Sequence, residues 1–262
     1  MNNTKRDIDI DFAIAASEFI QEENLPNLAY LCLYGSQNYN LDTFQSDIDI
    51  KGFVYPTVED IALNRSPITG TGVYERGSEG AVSVTDIRQF AKDLKKSNIN
   101  ALEFLYSPYF MYTGSVFSPA DAAIRELKAY RNGIVECSPE GLFNSARGVA
   151  YTQIKRLAKP QYEKWHKGTA NVLRATNFVY EYDMTGDFEH SLKAFPIYSR
   201  DMIMAIKAGE IPRDLCEGIA AEAINKIDKL GGFKIEPSKT YVEAVDETVC
   251  TMIKHLYGGG VK

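Results

Sequence analysis

The stretch that decides the fold is Leu33-Tyr34-Gly35-Ser36-Gln37-Asn38-Tyr39-Asn40-Leu41-Asp42-Thr43-Phe44-Gln45-Ser46-Asp47-Ile48-Asp49-Ile50-Lys51-Gly52-Phe53. A short apolar run ends in Gly-Ser. A polar, turn-rich connector follows, and then two aspartates alternate with isoleucines. Strand side chains repeat every two residues, so Asp47 and Asp49 share one face and Ile48 and Ile50 the other. Two like charges at that spacing repel, and their placement does not serve stability. A divalent cation between them turns the repulsion into binding.

The same residues suit a triphosphate. Its charge needs a metal held by carboxylates. Close approach of backbone to phosphate favours glycine. A hydroxyl beside that glycine can donate to a phosphate oxygen. Gly35 and Ser36 at one strand end, facing Asp47 and Asp49 on the next strand, supply these parts.

The rest of the chain frames this motif. Its 262 residues, 45% hydrophobic and 24% charged, suit a globular protein of one large domain or two small ones. The net charge of −6 gives no bulk electrostatic case for nucleic-acid binding, although a local basic groove can sit on an acidic protein. Cys32, Cys137, Cys216 and Cys250 are scattered without CxxC spacing, which argues for reduced thiols in a cytoplasmic protein and against a zinc site. The opening Met1-Asn2-Asn3-Thr4-Lys5-Arg6-Asp7 does not read as a signal peptide, and no apolar run is long enough for a membrane span. Nothing in the composition marks an interface between copies.

Apolar spacing predicts a helix over Ile8–Glu22 and strands over 27–34, 46–55 and 81–85. A helix or turn starts at Thr57, and Asn64–Gly80 reads as a loop with a possible hairpin at Val73-Tyr74-Glu75. Asp86 opens a helix, with Gln89 at capping-box spacing. Helical patterns then follow near 101–105, 120–132 (stopping at Gly133), 142–157, 167–182, 199–208, 213–230 and 240–257. The expected fold class is α/β (α+β): a small mixed sheet with flanking helices over 1–112, then an all-helical half over 113–262.

The motif resembles the GS…DxD signature of the DNA polymerase β-like nucleotidyltransferase superfamily. The longer string Tyr34-Gly35-Ser36…Tyr39…Leu41…Thr43…Ser46-Asp47-Ile48-Asp49…Lys51-Gly52 is similar to a narrower group of bacterial and phage nucleotidyltransferases, some associated with RNA repair. Asp86–Phe90, Asn100–Leu105, Arg147–Leu157, Lys167…Arg174 and Ala205–Glu210 look like that group's later blocks. The resemblance implies an NTP such as ATP, two Mg²⁺ ions, and attack of an acceptor hydroxyl on the α-phosphate with loss of pyrophosphate. The acceptor it implies is an RNA end, tRNA included; a protein hydroxyl or a small molecule is the variant within the class. By position, Gly35 and Ser36 hold the triphosphate and Asp47 and Asp49 the metal.

Other residues carry two readings. Ser46 is a turn residue or a phosphate ligand. Lys51 neutralises phosphate or sits on a solvated strand end. Lys167 and Arg174, seven apart on one helix face, contact phosphate or solvent. Arg147, Lys155 and Arg156 line a groove or a solvated helix face. His166, His190 and His255 have no catalytic reading. Two departures from the resemblance stand out. The superfamily's third carboxylate has no counterpart on Ala81-Val82-Ser83-Val84-Thr85, which leaves Glu103 or Glu79 to supply it and Asp86 to act as a cap; Glu103 otherwise reads as a helix cap or as the partner of a Lys or Arg. Asn171 stands where the narrower group has histidine. These departures motivate the competing expectation, a nucleotide-binding or interaction protein that kept the fold without turnover.

Overall fold

The computed structural model describes residues 8–23, 28–43, 46–67, 69–74, 80–112 and 118–258. Five strands form one mixed sheet in the order β3-β4-β2-β1-β5. β1 (Leu28–Tyr34) runs antiparallel to β2 (Asp49–Val54) and to β5 (Phe110–Tyr112). β4 (Gly80–Asp86) runs parallel to β2, and β3 (Thr69–Tyr74) closes the edge antiparallel to β4.

β1 is covered on both faces, which its unbroken apolar run Leu-Ala-Tyr-Leu-Cys-Leu-Tyr anticipates. Leu31 and Leu33, with Ile48, Ile50 and Val82, pack on Phe12, Ala16 and Phe19 of α1 (Ile8–Glu23). Tyr30, Cys32 and Phe53 point the other way, into a core that continues through the helical half as far as Met252. Asp49 and Lys51 belong to this second face by strand parity, so the acidic motif looks toward the helices.

The connections are short and capped. Thr57 and Asp60 form a capping box at α2 (Val58–Ala62). Asp86 caps α3 (Ile87–Lys95) by accepting from the Arg88 amide, and its carboxylate also pairs with the Arg88 guanidinium at 2.7 Å. Gln89 bonds Asp93 instead, so no reciprocal box forms there. Asn98 caps α4 (Ile99–Tyr106). Ser118 and Ser138, each followed by proline, open α5 (Pro119–Ala129) and α7 (Pro139–Leu157). Between them lies α6 (Arg131–Val135). α8 (Trp165–Thr185) ends on left-handed Gly186, and α9 (Phe188–Lys193) follows. Ser199 caps α10 (Arg200–Lys207), and α11 (Arg213–Leu230) and α12 (Thr240–Gly258) complete the chain.

The expected mixed sheet followed by helices is the fold observed, with four local differences. The ladder of β2 begins at Asp49, so Asp47 precedes the strand. The 64–80 loop contains β3, while Glu75 and Glu79 lie outside the described residues. Gly133 lies inside α6 instead of ending a helix. The two short elements β5 and α9 were not legible from periodicity. Among the described residues no helix is long and apolar enough to cross a membrane.

Candidate functional site

The sheet register puts the two halves of the motif at one strand end. Tyr34 pairs with Asp49, so Gly35 is the first residue beyond the ladder and lies beside that carboxylate. Gly35 has φ 101° and ψ −151°, a conformation that only glycine adopts without strain. A Cβ there would stand 3.0 Å from Asp49 Oδ2. The backbone conformation therefore strains any side chain at this position, and a Cβ would also press the Asp49 carboxylate aside by a few tenths of an ångström.

Ser36 opens a 3-10 turn, Ser36–Tyr39, which ends on left-handed Asn40. Asn38 fixes the turn by donating to the Leu33 carbonyl at 3.1 Å. Gln37 Nε2 donates to the Asp47 carbonyl at 2.8 Å, tying the turn to the acidic segment. The connector is closed by Ser46, whose Oγ accepts from the Thr43 amide at 2.8 Å.

These residues form one wall of a cleft of about 1480 Å³. The opposite wall is helical. Gly148, Val149, Thr152 and Gln153 come from α7, and Lys167, Ala170, Asn171 and Arg174 from α8. Asn98 and Asn100 come from the start of α4, and Lys207 and Glu210 from the end of α10 and beyond. The spacing of the α8 set, i, i+3, i+4 and i+7, is a single helix face.

Charge is concentrated where the walls meet. Lys167 Nζ lies 3.4 Å from Asp47 Oδ2, with the two side chains 46% and 40% exposed. Lys207 Nζ donates to the Leu41 carbonyl at 2.6 Å and to Ser46 Oγ at 3.5 Å. Burial pushes the Lys207 ammonium below the usual lysine range and Lys167 adds to that, while Asp42, Asp47 and Asp49 oppose it. At the other end of α10, Arg200 Nε donates to the Asn40 carbonyl at 2.7 Å. One helix thus holds both sides of the 40–46 connector.

Gly35, Ser36, Ser46, Asp47, Asp49, Lys167 and Arg174 are brought together in the cleft. Glu103 and Lys51 are not. Glu103 is buried behind Arg174, with Arg174 Nη1 at 3.3 Å from Oε1 and side-chain exposures of 8% and 0% for the arginine and the glutamate. The Arg174 guanidinium also stacks over the Tyr39 ring at 3.8 Å. Burial pulls Arg174 down, but Tyr39, Glu103 and Tyr34 outweigh it and hold the group above the usual range. The expected acid at 103 is thus an interior partner of the helix α8 arginine.

Lys51 differs from expectation in the same way. Its ammonium sits 3.4 Å from the Tyr34 ring centroid and donates to the Asn100 carbonyl at 3.1 Å. Burial lowers its pKa, with Glu103 and Cys32 pulling upward. It braces the floor of the cleft from inside.

The third-carboxylate question resolves only in part. Val82 and Val84 pack on the α1 side, which leaves Ser83 and Thr85 on the face of Asp49. Among the described residues, no set of three acidic, histidine or cysteine side chains gathers at a metal-binding spacing. Asp47 and Asp49 nevertheless make a hard oxygen donor pair. That fits Mg²⁺, which keeps several waters and takes one or two carboxylates together with substrate phosphates. Arg147, Lys155 and Arg156 do not line the cleft; Arg147 bonds Asp228 of α11 at 2.7 Å. Asn100, Gln153, Lys207 and Glu210, which fall in the later blocks of resemblance without a site role there, line it too, as does Asp201.

No family model matches the chain, and no curated protein matches it. A solved structure of a nucleotidyltransferase-like protein from Exiguobacterium sibiricum 255-15 is 8% identical, with 96% of this chain and 79% of that one covered and a TM-score of 0.30. Likeness at that level carries no argument, so the reading of the site rests on its own geometry.

Proposed function

We propose that the chain is a metal-dependent nucleotidyltransferase that moves NMP from an NTP to an acceptor hydroxyl. The observation that carries this reading is the junction of Gly35 with Asp49. A backbone conformation that favours glycine, a hydroxyl next to it, and two carboxylates on the same sheet end face one polar cleft. Such a junction suits a metal-bound triphosphate.

In this reading the Gly35–Ser36 turn takes the phosphates and Asp47 and Asp49 hold Mg²⁺. The ion, when bound, neutralises the triphosphate and polarises the reacting phosphate. Lys167 and Lys207 add positive charge from the helical wall, while the Arg174 charge is already paired with Glu103. The acceptor oxygen forms a bond to the α-phosphorus and gives up its proton to solvent water, the bond from the α-phosphorus to the oxygen bridging to the β-phosphate breaks, and pyrophosphate carries away the electron pair. The resemblance to RNA-repair nucleotidyltransferases favours an RNA end as acceptor.

The test is pyrophosphate release with each NTP, Mg²⁺ and total tRNA. Asp47→Ala should abolish release, by at least about two orders of magnitude, with an unchanged circular dichroism spectrum. Release that survives Asp47→Ala sinks the mechanism. The absence of a third acid grouped with Asp47 and Asp49 among the described residues favours one other reading, a protein that binds nucleotide without turnover. Calorimetry showing Mg-dependent NTP binding, with no release for RNA, protein or small hydroxylated acceptors, selects it.

A further inference from the structure

The acidic side of the cleft carries its own counter-ions. Asp42, Asp47 and Asp49 lie on one short stretch, and two ammonium groups reach it from the helices. They are held differently. Lys207 is bound to a backbone carbonyl and to Ser46, so moving it would release the connector. Lys167, in the first turn of α8, holds among the described residues only a carboxylate oxygen, in a pair whose partners are both nearly half exposed. Pairs of that kind are weak and exchange readily.

We propose that Lys167 is a placeholder cation. It occupies Asp47 in the nucleotide-free protein, releases that carboxylate to the divalent cation arriving with a triphosphate, and then pairs with a phosphate oxygen. This rests on the nucleotidyl-transfer reading for the identity of the ligand. The physical reason is that two cations cannot share one carboxylate oxygen without strong repulsion. The four-carbon lysine stem with rotatable donors makes the move a change of rotamer. Lys207 stays in place during the exchange, holding Leu41 and Ser46 of the connector. The consequence is a modest bias in the order of events: Lys167 weakens the binding of divalent metal alone, and the phosphate that arrives with the metal relieves that competition.

The experiment uses the full chain and Mn²⁺ alone, followed by calorimetry or electron paramagnetic resonance. Lys167→Met should bind Mn²⁺ about fivefold tighter than the wild type. It should bind MgATP more weakly by a similar factor, because the phosphate contact is lost. Adding Asp47→Asn to Lys167→Met should remove the gain in Mn²⁺ affinity. Lys167→Gln, with the same loss of charge, guards against a variant-specific folding defect.

Unchanged or weaker Mn²⁺ binding in both variants overturns the placeholder role, as does a gain that survives Asp47→Asn. Unweakened MgATP binding overturns the transfer of the ammonium to phosphate. The Mn²⁺ arm needs neither acceptor nor turnover. A gain in Mn²⁺ affinity without pyrophosphate release therefore tells against nucleotidyl transfer and not against Lys167, and the converse result does the reverse.

Discussion

At Gly35 a single methyl group would meet both a forbidden backbone conformation and the Asp49 carboxylate. Gly35→Ala should cost about 1–3 kcal/mol from backbone strain and displace Asp49 from the cleft. Urea unfolding reads the first effect and NTP calorimetry the second; a variant neutral in both would show that the junction is not constrained. Residues of this kind are legible in sequence because the motif is local: Gly35, Ser36, Asp47 and Asp49 reach one place through one connector and one strand pair. Lys207 and Gln153 are not legible that way, since they meet the motif only after α7 and α10 have packed. Glu103 and Arg174 show the limit from the other side. Glu103 reads as a site acid or as the partner of a Lys or Arg, and the fold selects the second and names the partner, Arg174, in the interior.

Helices and strands differ in how far their neighbours decide them. The long helices α7, α8, α11 and α12 are legible from their periodicity, helped by the terminal Gly186 and Gly231 that close α8 and α11. β3, Thr69-Gly-Thr-Gly-Val-Tyr, has the composition of a loop and is a strand only because β4 lies beside it. β5 is three residues long, too short for a pattern. Gly133 misleads for a different reason. It looks like a helix stop, yet it stays inside α6 because a Cβ there would stand 2.0 Å from the Tyr241 ring of α12. Gly133→Ala should therefore destabilise by about 1–3 kcal/mol through overpacking, although alanine is the better helix former. Tyr241→Ala should rescue it in a double-mutant cycle. Additive losses in that cycle would refute the α6–α12 contact as the cause.

Across the whole molecule, the sheet and the helices share one interior. Cys32 on β1 is fully buried in it, and burial pushes its thiol up to about 12 from a usual 9.0, against the pull of Lys51 and Lys128. The folded state therefore keeps a proton that the unfolded chain loses, so this contribution is whole below pH 9.0 and is lost as pH rises toward about 12. Between pH 9.0 and about 10, wild-type stability should fall by about 1 kcal/mol more than that of Cys32→Ala. Parallel urea-unfolding profiles for the two proteins would contradict it. The common interior also bears on descent. Phe53, Phe90 and Phe104 pack within the same core as Phe178, Tyr182 and Ile203. A recombination breakpoint between Tyr112 and Ser118 would leave each product with half of a core. Sheet and helices would have to be inherited as one unit for either to keep its core.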